Sequence, residues 1–129
     1  MNVVVGFNLD IIMYVLFCHW IADFLFQNKW MINYKGKYTV TLLFHVFIYV
    51  LVVTTMLWWL IPSYYAAILF VFTVFVGHFT IDFLSVRIIE MLGKTKHKHL
   101  IYAAISFDQF ACTVLLFATL IHLVNYFSP

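Results

Sequence analysis

The chain has 129 residues, 66% of them hydrophobic and 9% charged, and a mean hydropathy of +1.04. Soluble domains carry about 25% charged residues, so the composition excludes a water-exposed globular domain and points to an integral membrane protein with the lipid bilayer as its main partner. The formal net charge of +2 comes from seven basic and five acidic residues, and where they fall matters more than the sum.

Residues 1–10 lack a basic start and hold Asp10 just before the first apolar run, so no cleavable leader is read there and the first helix is expected to stay in the mature protein. The first span is predicted over about 9–27, closed by Asn28, Lys29 and an interfacial Trp30. A loop with Asn33, Lys35, Gly36 and Lys37 follows. The second span is predicted over about 38–61, with Trp58 and Trp59 at its far end, and Pro62-Ser63 breaks it because proline lacks the helical donor. The third runs over about 65–86, with a possible amphipathic extension through Arg87, Glu90 and Met91, and the fourth over about 100–126. Between them lies a second basic loop, 93–99, whose His97 and His99 are read as solvated. Cys18 and Cys112 sit inside apolar runs, where cysteine packs as a small hydrophobe, so no disulfide framework is expected.

Every lysine and arginine (Lys29, Lys35, Lys37, Arg87, Lys94, Lys96, Lys98) falls near the link after the first span or the link after the third. Two helices separate those links, so both lie on one side. The positive-inside rule makes that side cytoplasmic and puts both termini outside. The basic residues are accounted for by topology and by anionic lipid, and no nucleic-acid partner is read from them. Homo-oligomerisation is left open.

Ionisable residues inside apolar spans carry the functional signal. His19-Trp20-Ile21-Ala22-Asp23-Phe24-Leu25 recurs as His78-Phe79-Thr80-Ile81-Asp82-Phe83-Leu84. Residues four apart in a helix lie one above the other on a single face. Each copy leads through a basic loop into a helix with another ionisable residue, His45 in the first case and Asp108 in the second. The pattern predicts an all-α membrane-spanning four-helix bundle made of two parallel-related hairpins, about 9–61 and 65–126, in a single transmembrane domain. Counting about 1.5 Å per residue from the helix ends places His19, Asp23, His45, His78, Asp82 and Asp108 in one layer of the cytoplasmic half. Exposing such groups to lipid is costly, so the helices should turn them inward. Gln27, a turn below Asp23, and Gln109, beside Asp108, would complete the hydrogen bonding around them.

Three imidazoles and three carboxylates suit a divalent transition metal, zinc first, with iron or manganese as alternatives. One arrangement sets His19, His45 and His78 around zinc, with Asp23, Asp82 and Asp108 as outer acceptors or as a general base. An open coordination position would make the protein a membrane-embedded hydrolase. A second reading is proton or cation translocation, with His122 and Asp10 continuing the path outward. A third is a helix-clamping polar cluster with no chemistry, although interhelical hydrogen bonds in membranes average only about 0.6 kcal/mol.

The segment His19, Asp23, Phe24, Gln27, with His45 in the next helix and a second His-x-x-x-Asp further on, resembles a family of small bacterial and phage membrane proteins known as a domain of unknown function. Asp108-Gln109 is similar to the Asp-Gln pair of its last helix, whereas a histidine expected soon after is replaced by Cys112-Thr113. The resemblance implies a bacterial inner membrane, supports the choice of polar residues, and implies no particular reaction.

Overall fold

A computed structural model describes residues 8–25, 39–93 and 98–127, which form four helices and no strand. Helix α1 spans Leu9–Trp20 and runs on as one wide π-helical turn, Ile21–Leu25. Helix α2 spans Thr39–Met56, α3 Tyr64–Gly93 and α4 Lys98–Phe127. A short 3-10 turn, Trp58–Leu60, follows α2. Lys29, Trp30, Lys35, Lys37, Lys94, Lys96 and His97, together with Gln27, lie outside the described residues.

Local chemistry sets these boundaries. Asn8 caps α1, its Oδ1 accepting the Ile11 N–H at 3.0 Å, and Asp10 in the first turn complements the positive end of the helix. Pro62 stops the second run, and Ser63 then opens α3 by accepting the Ala66 N–H at 3.2 Å through its hydroxyl. The Tyr14 hydroxyl donates to the Met56 carbonyl at 2.8 Å, satisfying one of the carbonyls that the end of α2 leaves without a helical partner. Thr55, Thr80 and Thr113 turn their hydroxyls back onto the carbonyl four residues earlier, which hides the donors from an apolar surround.

Two features differ from those the sequence predicts, and the extension read for the third helix is present. Helix α2 ends at Met56 rather than near 61, because Trp58–Leu60 tightens into the 3-10 turn before Pro62. Helix α3 continues unbroken to Gly93. At its end Arg87 pairs with Glu90 at 3.3 Å and lies 4.9 Å over the Phe83 ring, so the amphipathic tail belongs to the same helix. Helix α1 changes to π geometry just before Asp23.

Helices α2, α3 and α4 are each long and apolar enough to cross a membrane. Burial is reversed relative to a soluble protein. Large apolar side chains such as Phe17, Phe47, Trp59, Ile68, Phe72 and Tyr102 are exposed, whereas His19, Asp23, His45, His78, Asp82 and Asp108 are buried. Water would penalise both halves of that arrangement; hydrocarbon favours the first and forces the second. Helices α3 and α4 share the most extensive interface, α2 packs on α3, and α1 contacts both α2 and α4. Toward the Trp58 end the core is apolar, with Val15, Val53, Leu57, Phe70, Leu116 and Leu120 fully buried. The ionisable layer sits on the other side of this plug.

Candidate metal centre

Helix α3 supplies the simplest part of the site. In regular α geometry His78 and Asp82 are one turn apart, and His78 Nε2 lies 3.4 Å from Asp82 Oδ2. From α2, His45 directs Nε2 to the same carboxylate oxygen at 3.3 Å. The π turn of α1 brings in Asp23, whose Oδ1 is 3.2 Å from His45 Nε2 and 3.7 Å from His78 Nε2. Each imidazole thus faces both carboxylates, with all four residues no more than 5% exposed.

These contacts are short without being hydrogen bonds. Neither His45 Nε2 nor either ring nitrogen of His78 has a partner in hydrogen-bond geometry, although buried polar atoms nearly always find one. Adjacent donors around one ion with bonds of about 2.0–2.2 Å stand roughly 2.8–3.6 Å apart. Three of the four measured separations fall in that range, and the fourth misses it by a tenth of an ångström or so. The donor atoms of Asp23, His45 and His78 all lie within 4.8 Å of one another. A second set with the same spread comprises His78, Asp82 and Cys112.

The remaining predicted residues stand one step out. His19 Nδ1 is 2.7 Å from the Tyr49 hydroxyl and its Nε2 is 3.3 Å from Gln109 Oε1. Asp108 accepts from the Ser85 hydroxyl at 2.9 Å and from Gln109 Nε2 at 3.3 Å. Donor and acceptor roles follow from the end of this chain. An ionised Asp108 only accepts, so the Gln109 amide turns its NH2 to Asp108 and its carbonyl to His19. His19 then carries its proton on Nε2, and its bare Nδ1 accepts from Tyr49. One directed series of hydrogen bonds joins α2, α1 and α4, and Ser85 ties in α3.

Sequence reasoning overlooked Tyr49, Ser85 and the placement of Cys112. Tyr49 is fully buried, and besides holding His19 it stacks on the His78 ring, with centroids 4.0 Å apart and planes at 14°. Helical spacing held the signal in each case: Tyr49 is four residues after His45, Ser85 three after Asp82, and Cys112 four after Asp108. Next to the cluster lies a cavity of about 230 Å³ whose polar wall is Asp23, Asp82, Ser85, Asp108 and Gln109. Its apolar wall includes Val86, Ile89 and Ile105, so it extends from the cluster toward the Gly93 and Lys98 ends of α3 and α4. His122 and Asp10, at the opposite ends of their helices, are exposed.

Among families, one described as a protein of unknown function, DUF3307, has a model that matches residues 11–128. No curated protein and no solved structure matches the chain.

Proposed function

The chain belongs to this family of unknown function, and we propose that it is a bacterial inner-membrane protein whose buried Asp23, His45, His78 and Asp82 bind a divalent transition metal, zinc ahead of iron or manganese. The observation that carries the reading is the meeting of two imidazole Nε2 atoms and two carboxylate oxygens from three separate segments at 3.2–3.7 Å without hydrogen-bond geometry. Clamping helices calls for well-formed hydrogen bonds, which the outer residues already supply. Converging lone pairs suit a cation better.

The proposed setting is a single-domain four-helix bundle of two parallel-related hairpins, with the basic links cytoplasmic and both termini outside. The reversed burial and the apolar helices support it. Within it the cavity supports metal-assisted hydrolysis. An ion at the cluster would lend Lewis acidity to a water or a substrate carbonyl. Asp108, held by Ser85 and Gln109 in the cavity wall, would take a proton as general base. His19 and Tyr49 position the donors: Tyr49 packs flat on His78 and is itself held by His19. Proton or cation passage is less well supported. A through-route needs polar groups on both sides of the layer, and the buried residues toward the Trp58 end are apolar apart from Thr119.

Metal analysis of the purified protein tests the proposal. One equivalent of zinc or a similar ion per chain is expected, retained through detergent exchange, and both His45→Ala and His78→Ala should lose it. A folded wild-type protein that takes up no divalent ion from zinc-, iron- or manganese-supplemented buffer would overturn it.

A further inference from the structure

We propose that Cys112 is a sulfur donor to the same ion, which makes the centre a mixed nitrogen, oxygen and sulfur site and biases it toward zinc over manganese. The inference rests on the metal reading above and extends it to α4. The donor atoms of Cys112, His78 and Asp82 lie within 4.8 Å of one another, all in residues no more than 3% exposed. Donors on one ion with bonds of about 2.0–2.3 Å are roughly 3–3.6 Å apart when adjacent and about 4.3 Å apart when opposed. The observed spread therefore closes onto an ion with small side-chain movements.

A cysteine near a histidine would mean little by itself. Here His78 is fully buried with neither ring nitrogen in a hydrogen bond, and it is common to both donor sets. The sets also meet at a second point, because Asp82 Oδ2 lies 3.3 Å from His45 Nε2. Sharing His78 and joined through this contact, the two sets are taken as one centre in the proposal. On α4, Cys112 is one helical turn from Asp108 and on the same face, so this helix presents a pair to the layer just as α3 presents His78 and Asp82.

Binding would break the Cys112 S–H bond, form a sulfur–metal bond and release one proton to water, leaving no redox change to balance. Thiolate is a soft donor. It favours zinc and its close mimic cobalt(II), and it disfavours manganese and magnesium, which prefer oxygen.

Cobalt(II) titration of the full-length protein in detergent tests this. A cobalt–thiolate charge-transfer band in the near ultraviolet is expected beside the visible ligand-field bands. The sequence has two cysteines, so the ultraviolet band should survive in Cys18→Ser and be lost in Cys112→Ser. The Cys18→Ser protein alone decides the point if Cys112→Ser does not fold. Visible bands without the charge-transfer band would overturn the role of Cys112 and leave the metal reading intact. A charge-transfer band that disappears in Cys18→Ser would overturn it equally. No cobalt or zinc uptake at all would remove the metal reading and this inference together.

Discussion

Tyr49 serves the candidate site through both parts of its side chain. The ring lies flat against His78 and the hydroxyl reaches His19, so one residue fixes the plane of one imidazole and helps to orient another. Tyr49→Phe separates these contributions. The stacking should persist while the hydrogen bond is lost, at a cost of about 0.5–1.5 kcal/mol. Thermal unfolding in detergent should show the modest loss, with the metal content per chain unchanged. Tyr49→Ala also removes the stacked ring and opens a core cavity, a change worth about 3–5 kcal/mol for aromatic truncations, and metal should be lost with it. If Tyr49→Phe alone emptied the site, the hydroxyl rather than the ring would be what holds His78 in place. Asp108 belongs to the same scale. In Asp108→Asn an NH2 competes for the place now filled by the Gln109 amide, so Gln109 should reorient and give up His19. Because Asp108 is not among the proposed ligands, zinc stoichiometry should hold, with affinity falling by about 10–100-fold as for other supporting partners. Competition with a fluorescent zinc chelator would read this, and a complete loss of stoichiometric zinc would instead make Asp108 a ligand.

At the scale of the helix, the two copies of His-x-x-x-Asp are alike in letters and unlike in geometry. In α3 the spacing gives a direct His78–Asp82 contact. In α1 the wide turn over Ile21–Leu25 redirects Asp23 to His45 and His78, while His19 faces Tyr49 and Gln109. Periodicity was enough to read the three long apolar helices and to pick out ionisable residues that are buried, because hydropathy and the cost of a charge in hydrocarbon act locally. It was not enough to sort the residues that converge on one another from those one step out. That sorting depends on a π turn, and π turns, which gather at functional sites, have no periodic sequence signature. Tyr49 was passed over for a related reason: among many aromatics only the fold shows which one stacks on a histidine. The α3–α4 interface has a checkpoint of its own at Gly77, next to His78. A Cβ built there would come within 2.6 Å of Leu115 Cδ2 and 3.3 Å of its Cγ. Gly77→Val should therefore force the Leu115 side chain out of its present position and destabilise by about 1–3 kcal/mol, as overpacking commonly does. Adding Leu115→Ala should recover most of the loss. A melting comparison of the two single variants and the double variant measures the coupling, and additive effects would place Gly77 away from this close approach.

Across the whole molecule the arrangement is asymmetric about the ionisable layer. On one side is the plug of Val53, Leu57, Phe70, Leu116 and Leu120; on the other is the cavity that runs toward the Gly93 and Lys98 ends of α3 and α4. Water and ions should therefore reach the centre from one face of the membrane only, the face proposed to be cytoplasmic from the positions of the basic residues. Sealed membrane vesicles of opposite orientation turn this into a measurement. A membrane-impermeant chelator should strip metal from inside-out vesicles, where the cytoplasmic face is outermost, and leave right-side-out vesicles loaded over the same interval. Extraction from right-side-out vesicles alone would reverse the proposed topology while preserving one-sided access. Extraction at equal rates from both would mean that the plug opens, and a centre that exchanges ions with both faces is a step in translocation rather than a site for one-sided chemistry. Sidedness of metal exchange thus separates the two functional readings without knowledge of a substrate, because it depends on which half of the core is dry.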